Sequence, residues 1–142
     1  MQLTVLVVDD EELLRRFMAR VMADEGYRVL EAGNGIEALA WFGNGGSPIH
    51  LVITDILMPG MGGVELAARL ATRSPSPPLL FVSGGHRDSV LPGPVLRKPC
   101  LPSDLTTVVR QLLDYCFDEN QSDLDAQTAR FTRRSVDPGV TC

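Results

Sequence analysis

Five short runs of strand-like residues are spaced along this chain, and the stretches between them decide its architecture. They are Leu3 to Val8, Arg28 to Glu31, Ile49 to Thr54, Leu79 to Val82 and Val95 to Arg97. Each is bounded by turn residues or charge, as a buried strand should be. From Glu11 to Glu25 the pattern changes to a helical one, with Leu13, Leu14, Phe17, Met18 and Val21 on one face and Gly26 as a stop. A short second helix follows Asn34, a fitting N-cap, with Ile36, Leu39, Ala40 and Phe42 as its apolar side. A third spans Gly63 to Thr72 and ends before Ser74-Pro75-Ser76-Pro77-Pro78. A last helix opens at Pro102-Ser103-Asp104 and buries Leu105, Val108, Val109, Leu112 and Leu113. Strands that alternate with helices return in the same direction, so the expected core is a parallel sheet, with Ile49 to Thr54 at its centre.

The chemistry-bearing residues sit where those strands end. Asp9-Asp10 closes the first, Asp55 the third, Ser83 the fourth, and Arg97-Lys98-Pro99 the fifth. In an open parallel α/β sheet the ligand crevice lies beyond the carboxyl ends of the strands, so residues far apart in sequence converge there. Free carboxylates titrate near pH 4, and two of them about 4 Å apart repel by roughly 4 kcal/mol at an effective dielectric of 20. A divalent cation removes that penalty. Oxygen-only ligands in small number suit magnesium. Taken singly, Asp9-Asp10 reads as a helix-capping arrangement and Lys98-Pro99 as an ordinary strand exit.

Taken in order, the four elements resemble the receiver domain of bacterial two-component response regulators, in its stand-alone, chemotaxis-regulator-like form. The motifs are the acidic pair, Asp55 followed by Leu57-Met58-Pro59-Gly60-Met61-Gly62-Gly63, then Ser83, then Lys98-Pro99, within residues 3 to 116. The resemblance implies an α/β, flavodoxin-like, doubly wound five-stranded parallel sheet in the order 2-1-3-4-5. It also implies roles. Asp55 is the phospho-acceptor, taking a phosphoryl group from a phosphohistidine, with Lys98 and Ser83 assisting. Mg2+ is held by Asp10 and Asp55, by Asp9 through water, and by the backbone carbonyl of Leu57. A cis peptide before Pro99 aims Lys98 into the site. The implied partners are a sensor histidine kinase or histidine phosphotransfer protein and a downstream protein target. Phosphorylation changes binding to that target, so the protein acts as a signalling switch and not as an enzyme on an external substrate.

The chain departs from the family pattern in two places. Val95 replaces the usual aromatic switch residue that accompanies Ser83, and a valine is stiff at χ1. The stretch from Ser83 to Lys98 is short and contains Pro92-Gly93-Pro94, leaving little more than one turn around His86 to Leu91, so the fourth helix is expected to be truncated. Shortened receivers of this kind suit a phosphate relay or sink, including a receiver detached from a hybrid kinase. A phosphorylation-independent binding module is a further alternative, but it predicts loss of Asp55, Asp10 or Lys98, all of which are present. Leu57 and Gly85, which flank the site, carry no base to orient a hydrolytic water. A hydrolase would need a second acid shortly after Asp55, and Ile56-Leu57 offers none. His86 reads as a surface residue and His50 as structural.

Composition narrows the class further. A chain of 142 residues with 44% hydrophobic and 22% charged residues accommodates one receiver domain, 1–117, and a polar tail, 118–142, expected to be disordered. A net charge of −5 gives no field for a polyanion, so no direct nucleic-acid partner is expected. The start Met-Gln-Leu-Thr-Val enters a strand without a basic leader, and no run reaches membrane-spanning length. The expected location is cytoplasmic, without a membrane partner. Cys100, Cys116 and Cys142 are odd in number and widely spaced, which suggests reduced thiols and neither disulfides nor zinc.

Overall fold

The computed structural model describes residues 2–43, 46, 48–73, 75–84 and 91–118. Its elements run β1 (Thr4–Val8), α1 (Glu12–Asp24), β2 (Arg28–Ala32), α2 (Gly35–Phe42), β3 (Leu51–Asp55), α3 (Gly63–Leu70), β4 (Leu79–Ser83), β5 (Val95–Arg97) and α4 (Pro102–Asp118). All neighbouring strands pair in parallel, in the order β2-β1-β3-β4-β5, so β3 is central as its hydrophobicity requires. This is the flavodoxin-like doubly wound sheet that the sequence implies. The turn expected in 86–91 falls almost wholly outside the described residues, as does the tail beyond Asp118.

The strand period of two distributes the core between two layers. Val5, Val7, Leu51, Ile53, Leu80, Val82 and Leu96 face one side and pack against Met18, Val21 and Met22 of α1 and Leu105, Val109, Leu112 and Leu113 of α4. Leu6, Val8 and Val52 face the other side, against Ala38 of α2, Leu66 and Leu70 of α3, and Met58 and Met61 of the intervening loop. The eight-residue helices α2 and α3 are too short to persist alone. Packing on the sheet holds them, at roughly 1.5–3 kcal/mol for each fully buried large aliphatic side chain. Asn34 caps α2 as anticipated, its side chain accepting from the Glu37 N–H at 2.9 Å.

Two helical faces differ from the sequence expectation. In α1 the buried residues are Met18, Ala19, Val21 and Met22, while Leu13 is 84% and Phe17 40% exposed. The apolar stripe of this helix is wider than the strip that meets the sheet, and contact with β1, β2 and α4 selects one edge of it. In α2 the residues Gly35 and Ala38 are buried while Ile36 and Ala40 face outward. Gly35 is chosen by space, because a Cβ there would lie 2.7–2.8 Å from the Met61 side chain. His50 is structural as expected: its Nδ1 accepts from the Thr4 N–H at 2.9 Å, and its own N–H donates to the Thr4 carbonyl at 2.8 Å. Neither Cys100 nor Cys116 forms a disulfide. No helix among the described residues is long and apolar enough to cross a membrane.

Candidate functional site

The carboxyl ends of β1, β3, β4 and β5 meet at one edge of the sheet, and register sets who meets whom. Val8 pairs with Thr54, Asp55 with Val82, and Ser83 with Arg97. Each chemical residue therefore lies at or just past the last paired position of its strand. The Lys98 N–H donates to the Ser83 carbonyl at 2.7 Å, which continues the β4–β5 ladder by one step and fixes where the Lys98 side chain departs. The Lys98–Pro99 peptide is cis, as the resemblance implies.

Asp9, Asp10 and Asp55 offer carboxylate oxygens that all lie within 4.8 Å of one another. Their environments differ. Asp9 is fully buried, Asp55 is 13% exposed at its side chain, and Asp10 is exposed. Both oxygens of Asp9 have protein partners: Oδ1 accepts from the Glu11 N–H at 2.9 Å, and Oδ2 pairs with Lys98 Nζ at 3.2 Å. The first contact spans two residues, the local turn that aspartates make before helices; it ends on the N-cap residue and not on the first helical turn, so the acidic pair does not cap α1. Glu11 itself, at the N-cap, makes no side-chain capping bond. Asp55 Oδ1 accepts from the Ile56 N–H at 2.8 Å, and Oδ2 faces Lys98 Nζ at 3.3 Å. The ammonium thus bridges a buried and a nearly buried carboxylate.

Burial is the largest influence on Asp55 and raises its pKa above the usual carboxylate value; the nearby Asp9 adds to the rise, and Lys98 with the Ile56 N–H counters it only in part. For Lys98, burial pulls the pKa down, but attraction and hydrogen bonding to Asp55 and Asp9 together outweigh it and leave the pKa raised. Lys98 is held as a cation, and it offsets the burial of Asp55 only in part. The donor set is all oxygen and clustered, which suits a hard divalent cation.

The loop after Asp55 is shaped by two glycines. Gly60 has φ +77°, a region that side chains avoid. A Cβ on Gly63 would collide with the Asp55 carbonyl oxygen, so only glycine lets α3 start this close to the site. The Gly63 N–H donates to the Ile56 carbonyl at 2.9 Å, and the Thr54 hydroxyl donates to the Asp55 carbonyl at 2.9 Å.

The remaining anticipated residues fall around this centre. Ser83 is buried at the end of β4, one residue past the strand partner of Asp55. Leu57 lies in the β3–α3 loop with its side chain 63% exposed, so its contribution to the site would be its backbone. Val95 is half-buried at the start of β5, paired with the fully buried Phe81. Gly85 and His86 lie outside the described residues. One participant escaped the sequence reading: Arg15, whose Nη1 donates to the Asp9 carbonyl at 3.1 Å. On a helical wheel it looks like any solvated arginine, and no motif marks it.

Comparison with known proteins agrees with this geometry. Residues 5–110 match the family model for the response regulator receiver domain. The response regulator receiver protein CpdR of Brucella abortus is 32% identical over 116 residues, covering 77% of this chain and 95% of CpdR. The sensor kinase CckA of the same organism is 35% identical over 118 residues, 78% of this chain but only 12% of that much longer protein. Among solved structures, the receiver domain of the hybrid histidine kinase CckA superposes with a TM-score of 0.68 at 34% identity, covering 78% of this chain and 98% of that one. A CheY-like receiver protein from Methanospirillum hungatei gives a TM-score of 0.74 at 26% identity, covering 84% and 99%. With the sheet order, the acidic cluster and the bridging lysine in place, this chain belongs to the response regulator receiver domain family of two-component systems.

Proposed function

We propose that this protein is a phosphorylation switch in which Asp55 accepts a phosphoryl group from a phosphohistidine on a sensor kinase or histidine phosphotransfer protein. The observation that carries the reading is the bridge of Lys98 Nζ to Asp55 Oδ2 and Asp9 Oδ2 at 3.3 and 3.2 Å, beside the third carboxylate of Asp10. An Asp55 oxygen forms the new bond to phosphorus as the P–N bond breaks, and the departing imidazole nitrogen keeps the electron pair. The product is an aspartyl phosphate.

Each residue has a defined task in this reading. Asp10 and Asp55 would hold Mg2+ directly, Asp9 through water, and Leu57 through its backbone carbonyl. Bound there, Mg2+ supplies positive charge to the phosphoryl oxygens. Lys98 moves from Asp55 Oδ2 to a phosphoryl oxygen once the carboxylate has reacted, and the Ser83 hydroxyl donates to another. Burial of Asp55 strips water from the nucleophile and shields the product from hydrolysis, with no base at Leu57 to promote it. Val95 in place of an aromatic side chain is too small and too stiff at χ1 for a large inward swing with Ser83, so the read-out of phosphorylation runs through surfaces other than β5.

The test is intact-protein mass after incubation with Mg2+ and a small acyl-phosphate donor. One added phosphoryl group is expected on the wild type, and none on Asp55→Asn or in the presence of a chelator. A phosphoryl group retained on Asp55→Asn, or added in the absence of divalent metal, contradicts the reading.

A further inference from the structure

Arg15 differs from the other arginines of its helix. Its side chain is 19% exposed, against 66% for Arg16 and 78% for Arg20, so it is inserted between elements and not spread on the surface. Two of its nitrogens are used for different partners. Nη1 donates to the backbone carbonyl of Asp9 at 3.1 Å, and Nε donates to Glu31 Oε1 at 3.0 Å. Glu31 is itself anchored, since its carbonyl accepts from the Trp41 indole N–H at 3.0 Å. The other side of Asp9 is tied to the same place: its N–H donates to the Ala32 carbonyl at 3.1 Å.

The Asp9 carbonyl belongs to the peptide unit that leads into Asp10. That unit is planar and ends at the Asp10 Cα, so fixing its oxygen fixes the point from which the Asp10 side chain departs. We propose that Arg15 is a positioning residue for the metal-binding carboxylates. Its fork between the Asp9 carbonyl and Glu31 orients the Asp9–Asp10 peptide so that the exposed Asp10 carboxylate meets those of Asp9 and Asp55. The inference rests on the Mg2+ reading given above and deepens it. It assigns Arg15 no contact with metal or phosphate.

Charge and geometry make opposite predictions here. Arg15 is a cation close to a cation site, so by Coulomb's law alone its removal strengthens Mg2+ binding. If its task is to orient Asp10, removal weakens binding. Groups that orient metal ligands are worth about 10- to 100-fold in affinity, and a ligand held through its backbone belongs at the lower end. Lysine keeps the charge but has no planar fork to span two partners.

The experiment is calorimetric titration of the full chain with MgCl2, without any phosphoryl donor, on wild type, Arg15→Met, Arg15→Lys and Glu31→Gln. Thermal unfolding in chelator checks that each variant is folded. Arg15→Met is expected to weaken Mg2+ binding about tenfold, with Arg15→Lys weakened as well and Glu31→Gln showing a smaller loss in the same direction. If Arg15→Met does not fold, the other two variants decide the matter. Wild-type affinity in Arg15→Lys, or unchanged or tighter binding in Arg15→Met, overturns the role of Arg15 alone. Absence of Mg2+ binding by the folded wild type overturns the metal reading and this inference with it.

Discussion

Replacing Lys98 with methionine removes a cation that bridges Asp9 and Asp55 while keeping most of the side-chain volume. The ammonium lies 3.2 Å from Asp9 Oδ2 and 3.3 Å from Asp55 Oδ2, and at an effective dielectric of 20 each contact carries about 5 kcal/mol of Coulomb attraction. Much of that is offset by the cost of taking the ammonium out of water. What remains on deleting one partner of a buried pair is roughly 3–5 kcal/mol, because the other charge is left buried and unpaired. Here Asp9 is fully buried, but Asp55 and Lys98 keep 13% and 15% exposure, and Asp55 can relieve the repulsion by binding a proton. The lower end applies, so Lys98→Met should lose about 3 kcal/mol without metal, a drop of roughly 10 °C in Tm. Mg2+ replaces the missing counter-charge, so it should stabilise the variant more than it stabilises the wild type. The assay is urea unfolding at pH 7 in chelator and in saturating MgCl2. Wild-type stability of the variant in chelator, or a smaller Mg2+ gain than in wild type, refutes the reasoning.

Three further outcomes follow from the same geometry. Asp55→Asn should be more stable than wild type in the absence of metal at pH 7: the folded pKa of Asp55 lies above the ordinary 3.8, so its contribution to stability is present below that value and is lost as pH rises through the folded pKa. Unfolding curves from pH 3.5 to 7 should show the advantage of the variant growing with pH, and an advantage that shrinks with pH contradicts the assignment. Gly63→Ala should cost about 3 kcal/mol, because its Cβ meets the rigid Asp55 carbonyl and not a movable side chain; an unchanged urea midpoint would sink this account of the loop. His50→Ala leaves the Thr4 N–H without its Nδ1 acceptor and should cost about 1–2 kcal/mol by the same measurement, with no loss of Mg2+ affinity.

The sheet and the convergence of its strand-end residues were legible in the sequence for a common reason. Runs such as Val5-Leu6-Val7-Val8 and Leu51-Val52-Ile53-Thr54 can satisfy their burial only as interior parallel strands, and the residues that follow them are then forced to one edge. The common edge shared by Asp9, Asp10, Asp55, Ser83 and Lys98 follows from chain direction. The rotation of α1 was not legible. Leu13 and Phe17 continue its apolar stripe as well as Met18 and Met22 do, and only contact with β2 and α4 decides which edge is buried. Ile36 in α2 was misplaced for the same reason, with the Gly35–Met61 contact setting the helix orientation. Arg15 was invisible because its partners are a backbone carbonyl and a glutamate on another strand, and neither leaves a spacing signature.

The central claim is that Asp55, and neither of its acidic neighbours, carries the phosphoryl group. Borohydride reduces an aspartyl phosphate to homoserine, so treating the Mg2+- and donor-exposed protein with it and sequencing the peptides by tandem mass spectrometry locates the acceptor. Homoserine at position 55 alone is the predicted result. Homoserine at position 9 or 10 with Asp55 intact would contradict the account.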